Sequence, residues 1–167
     1  MAERAWIKGA QQGSVADLER LFREHWPRAY RAARLVTGDA AAAEDIAQEA
    51  FLAAIRALDR FDLRRPLGPW LHRIAVNRAI DWSRARALRR EVSGEHGEER
   101  ADPALAGIDE ELLAALQELA VDQRAVVVLR YVLDLTPGEI AAQLDLPRGT
   151  VNSRLRRGLD ALGERLR

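Results

Sequence analysis

Apolar residues recur at helical spacing along most of the chain, and the pattern predicts seven helices: about 16–36, 40–59, 70–90, 109–119, 122–133, 136–145 and 149–165. In the first, Leu18, Leu21, Phe22, Ala29, Tyr30 and Ala33 share one side, and Pro27 is expected to kink or divide it. The run Thr37-Gly38-Asp39 stops this helix, and Asp39 is placed to cap the next. There Ala43, Ala47, Ala50, Phe51, Ala54 and Leu58 line up as a core stripe. Only "RAVVVLRYVL" (124–133) is ambiguous between strand and helix, and its context favours a buried helix. Two stretches break the pattern. "DRFDLRRPLGP" (59–69) is rich in turn residues, and "EVSGEHGEERADPALAG" (91–107) joins acids to three glycines and a proline, as a flexible linker would. The expected fold is all-α: a helical domain over 14–90, a flexible acidic linker over 91–108, and a second helical domain over 109–167 that ends in a helix-turn-helix.

Composition agrees with this pattern, with 48% hydrophobic, 31% charged and 5% aromatic residues among the 167. No apolar run reaches 18 residues, and "MAERAWIKGAQQG" has no apolar signal core, so a cytoplasmic chain is expected. The absence of cysteine excludes disulfides and thiolate metal sites.

Charge changes the picture more. The 26 basic and 26 acidic residues cancel overall but are segregated. Residues 64–90 hold eight arginines against Asp81 alone, 91–118 hold nine acids against Arg100 alone, and 148–167 hold six arginines against Asp160 and Glu164. Two basic blocks around an acidic one suggest two contacts with a polyanion.

Winding the helices shows where those contacts would lie. On 40–59 the face opposite the core stripe carries Asp45, Gln48, Glu49 and Arg56 around Leu52, a leucine set where a wet face is expected. On 70–90 apolar residues spread almost all round and leave one polar stripe: Arg73, Asn77, Asp81 and Arg84, beginning at Trp70. With Phe61, Arg64 and Arg65 upstream, this stripe puts guanidinium groups beside rings, as a single nucleic-acid strand requires. The plainer reading makes Trp70 a core anchor and Asp81 an internal salt-bridge partner, and for those two it is preferred; Trp82 is also assigned to the core. On 149–165, Val151, Leu155, Gly158, Leu159 and Leu162 turn inward, with Gly158 permitting a close helix approach. Ser153, Arg156 and Arg157 point outward, with Asn152 and Arg154 on the shoulders. A second motif helix presenting Asn, Ser and Arg suits a DNA major groove.

Three segments together, "AEDIAQEAFLAAIRALDRFD" (43–62), "PWLHRIAVNRAIDWSRAR" (69–86) and "GEIAAQLDLPRGTVNSRLRRGLDAL" (138–162), resemble the extracytoplasmic-function (ECF) group of bacterial RNA polymerase sigma factors, which keep only the second and fourth sigma domains. The resemblance implies core RNA polymerase and promoter DNA as partners, together with an anti-sigma factor, and no cofactor or metal. It implies that Asp45, Gln48, Glu49 and Leu52 dock on the polymerase clamp. Phe61, Arg64, Arg65, Arg73 and Asn77 would hold the unpaired strand at the −10 element. Asn152, Ser153, Arg156 and Arg157 would enter the major groove at −35, with Arg148 and Thr150 beside phosphates at the start of that helix. The chain departs from the family pattern at several points: Ala120 where proline is usual, Asp145 where glycine often closes the first motif helix, Asn152 in place of a basic residue, and "TPGEIA" (136–141), which leaves backbone as the main phosphate ligand there.

A stand-alone helix-turn-helix regulator with a sensing domain is the alternative, but it would need neither the strand-binding stripe nor the Asp-x-x-Gln-Glu face. An enzyme has little support: His25, His72 and His96 are far apart, and no nucleophile or metal motif is present. His72, next to the stripe, is expected at the surface or partly packed.

Overall fold

The computed structural model describes residues 2–93 and 102–167, with side chains as far as Arg89 in the first segment. The described residues are helical and contain no strand. In order they form α1 (Ala2–Gln11), α2 (Val15–Thr37), α3 (Ala40–Ala57), a 3-10 turn (Leu58–Arg60), α4 (Leu67–Ser93), a second 3-10 turn (Pro103–Leu105), α5 (Glu110–Glu118), α6 (Val121–Tyr131), α7 (Pro137–Leu144) and α8 (Arg148–Arg165).

Local chemistry sets most boundaries. Ser14 caps α2 by accepting from the Asp17 N–H at 3.2 Å, and Asp39 caps α3 by accepting from the Ala42 N–H at 2.9 Å. Gly38 ends α2 in the left-handed region (φ 68°), a conformation that costs glycine little. Pro27 does not divide α2, which runs through it unbroken. Both Pro27 and Arg23, whose carbonyl loses its helical donor there, are exposed, so that carbonyl is open to solvent rather than buried without a partner. Two of the sequence departures also resolve. Ala120 precedes α6 with no side-chain cap, so the helix still begins at Val121. Asp145 ends α7 at φ 53°, taking the left-handed position that glycine fills more cheaply. At the other end of α7, Thr136 and Glu139 form a reciprocal capping box with Pro137 in the first turn.

The core stripe of α3 is buried as its pattern requires, from Ala43 to Leu58. Elsewhere the structure departs from expectation. Phe22 is 41% exposed, because it stacks along the surface on Trp26 (centroids 4.8 Å apart) and against Phe51 (4.9 Å). Leu159 is likewise 41% exposed, while Val151, Leu155, Gly158 and Leu162 carry the packing of α8. Residues 2–11, outside the domain bounded on sequence, form α1, whose Ile7 is buried with Leu21, Leu58 and Leu67.

The two helical segments share one core. It runs from Val36, Ile46, Val76 and Ile80 of α2–α4 into Leu116, Val126, Leu129, Ile140, Val151 and Leu155 of α5–α8. Polar contacts seal the join. Buried Arg124 donates from Nη1 to the Val36 carbonyl at 2.6 Å, and Gln117 Nε2 donates to the Leu35 carbonyl at 2.9 Å. These bonds satisfy carbonyls left open at the end of α2. The stretch assigned to a flexible linker is not loose at its C-terminal end. Leu105 enters the core, and Asp102 accepts from Tyr30 Oη at 2.6 Å and Arg34 Nε at 3.2 Å. Residues 94–101 lie outside the described residues.

Candidate nucleic-acid interface and docking face

Helix α3 is held by its buried alanine stripe, which turns the opposite face outward. Asp45, Gln48, Glu49 and Leu52 all lie exposed there, Leu52 at 51%. Glu49 accepts from Arg78 Nη1 of α4 at 2.8 Å, and Gln48 Nε2 reaches Glu44 at 3.5 Å, whereas Asp45 takes part in none of the ion pairs among the described residues. Exposed Ile55 lies on the same helix, and the Phe51–Phe22 contact carries apolar surface onto α2. Sequence winding singled out Leu52 but missed Phe22 and Ile55, since Phe22 reads as core by spacing.

The second candidate surface is a cleft of about 570 Å³ whose lining includes Phe61, Arg65, Trp70 and Arg73. Phe61 meets Trp70 at 4.9 Å between ring centroids. Trp70 is half-buried against two core clusters, as the core reading expected, yet its ring still lines the cleft. Arg64 lies apart from the lining and is gripped by Asp62, with Nε 3.0 Å and Nη2 3.0 Å from its carboxylate oxygens. This charge-assisted pair holds the Asp62 carboxyl down at about 2. Further along α4, Asn77 is half-buried and lines a second cleft with Asp81, Arg84 and Arg154. Asp81 is not an internal salt-bridge partner: it is exposed and forms none of the ion pairs among the described residues, because Arg84 turns to Asp122 instead. Trp82 is half-buried against the core, with the Arg86 guanidinium 5.0 Å over its ring.

The third surface is α8. Gly158 is buried against α6, where an added Cβ would stand 3.0 Å from Val127 Cγ2, so the close approach is real. That packing leaves Asn152, Arg156 and Arg157 exposed, with Ser153 and Thr150 half-buried and Arg148 exposed in the first turn. Arg154 is drawn to Asp122, 3.8 Å away.

The histidines are not where the sequence put them. His25 and His72 are neighbours, their rings 5.9 Å apart and both buried, because α2 and α4 pack side by side. His25 Nε2 pairs with Glu3 of α1 at 2.6 Å, while His72 Nε2 has no partner. Burial, with His25 and Arg28 nearby, lowers His72 to about 4 and keeps it neutral. Among the described residues no group of His, Cys, Asp or Glu is arranged to hold a metal, and no helix is long and apolar enough to cross a membrane. His96 lies outside the described residues.

Comparison with known proteins adds the following. Residues 21–89 match the family described as Sigma-70 region 2, and residues 109–162 match Sigma-70, region 4. The ECF RNA polymerase sigma factor SigW of Bacillus subtilis is 35% identical, covering 96% of this chain and 93% of its own length. The RNA polymerase sigma-E factor of Streptomyces coelicolor is 33% identical over 92% of this chain and 88% of its own. Among solved structures, CnrH in complex with the cytosolic domain of CnrY aligns over 99% of this chain and 97% of its own, with a TM-score of 0.71 at 29% identity. RpoE bound to the anti-sigma factor NepR, from Bartonella quintana, aligns over 91% and 98% with a TM-score of 0.74 at 26% identity.

Proposed function

Since the chain belongs to the ECF group of the sigma-70 family of RNA polymerase sigma factors, we propose that its three surfaces divide the work of promoter-directed initiation, with the polymerase supplying all the chemistry. The region over 14–90 docks on the polymerase and captures the −10 element, and the region over 109–167 reads the −35 element. Docking falls to Asp45, Gln48, Glu49 and Leu52. A leucine flanked by carboxylates offers a partner apolar burial and orientation at once.

Strand capture falls to Phe61, Arg65, Arg73 and Asn77, with Arg64 contributing the guanidinium nitrogen that Asp62 leaves open. A cleft lined by rings and arginines suits unpaired bases, which stack while the cations take phosphate. Duplex reading falls to Asn152, Ser153, Arg156 and Arg157, with Arg148 and Thr150 near the backbone. The observation that carries the reading is the build of α8. Its inward side is committed to Val151, Leu155, Gly158 and Leu162, so its arginines face outward from a rigid support.

The same reading makes the protein a cytoplasmic regulator rather than an enzyme, and the solved complex of a relative with an anti-sigma factor supports control by such a partner here. In vitro transcription from genomic fragments with core polymerase, with and without the protein, tests the proposal. New, discrete start sites in its presence are expected, and an unchanged transcript pattern would overturn it.

A further inference from the structure

Helix α1 meets both ends of the loop that carries Phe61 into the proposed strand cleft. At the near end the Leu58 carbonyl accepts twice. One donor is the Phe61 N–H at 3.0 Å, which closes the 3-10 turn, and the other is Gln11 Nε2 of α1 at 2.9 Å. A carbonyl oxygen has two lone pairs, so these donors fill it. At the far end, Leu67 opens α4 and is buried in one cluster with Ile7, Leu21 and Leu58. Trp6 and Ala10 of α1 pack against the same cluster, and so do Phe61, Leu63 and Trp70. A third tie runs through His25, which pairs with Glu3 of α1 at 2.6 Å. The His25 ring lies against the first turn of α4, where a Cβ on Gly68 would stand 3.2 Å from it.

The loop needs such support. Hydrogen bonds of a 3-10 turn are poorer in geometry than those of an α-helix, and beyond this one Phe61 turns extended (φ −69°, ψ 130°). The contact of its ring with Trp70, 4.9 Å between centroids, therefore depends on where the Leu58 carbonyl is held. We propose that α1 is a positioning element for strand capture: Gln11 fixes the Leu58 carbonyl and through it the Phe61 ring, while Ile7 ties the two ends of the loop together. A ten-residue helix is marginal alone, so α1 and the loop order each other through these contacts. Gln11 is not among the residues that line the cleft. It acts through Phe61, as a supporting contact fixes the group that meets a ligand. The proposal rests on the reading of the Phe61–Trp70 cleft as the strand site.

The chain assembled with core polymerase, titrated with a fluorescent oligothymidylate against polymerase alone as baseline, tests this. Gln11→Met keeps the side chain's length and removes its donor without adding charge. It should weaken strand binding about two- to ten-fold, the range that one lost hydrogen bond transmits. Retention on immobilised core polymerase should match wild type, since the docking face lies on α3. Phe61→Ala should weaken strand binding as well. Adding Gln11→Met to Phe61→Ala should cost nothing further, because Gln11 then has no ring to position. An equal loss in both backgrounds, or wild-type affinity in Gln11→Met beside a loss in Phe61→Ala, would overturn the positioning role and leave the cleft reading standing. Lost retention in Gln11→Met would make α1 a general stabiliser and overturn the role too. Wild-type affinity in Phe61→Ala would remove the cleft reading, and the positioning role with it.

Discussion

Arg156 and Arg157 show how little a side chain's type decides until its support is known. Both are exposed on a helix whose opposite side is packed, so removing either should leave the fold intact. If Arg156 reads guanine bidentately, Arg156→Ala should cost about 1–3 kcal/mol of promoter affinity and relax preference at one base pair. If Arg157 holds phosphate, Arg157→Ala should weaken all promoters alike and reduce the salt slope by about one. Binding of reconstituted holoenzyme to promoters varied one base at a time, over a range of salt, separates the two. His72 gives a second test at this scale. The unfolded chain takes up its proton near the ordinary value of about 6.5, but the folded chain does so only near 4. Its contribution is therefore fully present above pH 6.5 and is lost as pH falls from 6.5 to 4, by about 3 kcal/mol in all. Denaturant unfolding of wild type and His72→Leu across that window should show the slope in the first and its loss in the second.

At the scale of elements, α3 was legible because six buried positions repeat at 3.6 residues, and the same winding exposed Asp45, Gln48, Glu49 and Leu52. Replacing Asp45, Gln48 and Glu49 together by alanine should abolish retention on immobilised core polymerase. Stability should change by no more than about 1 kcal/mol, since among the described residues the only ion pair lost is the exposed one to Arg78. A variant that melts early yet still binds polymerase would make these residues structural. The recognition helix was equally legible from its spacing, except at Leu159, which lies at the edge of the packed side. Other features left no such trace. Helix α1 is short and offers Trp6 and Ile7 as its main apolar anchors, too few to register as a period. His25 and His72 lie 47 positions apart, and no periodicity within one helix reports a contact between two.

The whole molecule shows the same limit more strongly. Val36, Ile80, Val126 and Leu129 are apolar whether they pack within one half or between two, so the pattern announced their burial but not their partner. The charge blocks, taken on sequence as two separate contacts with a polyanion, are in the closed chain partly answered by its own acids, Asp122 and Glu118. The Arg124 and Gln117 bonds to the end of α2 hold the two halves together in this arrangement. Permanganate reactivity of unpaired thymines on one promoter, with core polymerase and with or without the chain, tests the promoter reading most directly. Thymines at the −10 element should become reactive only when the chain is present, and that reactivity should be lost with Arg156→Ala and Arg157→Ala combined. Equal reactivity without the chain, or undiminished reactivity with the double variant, would contradict it.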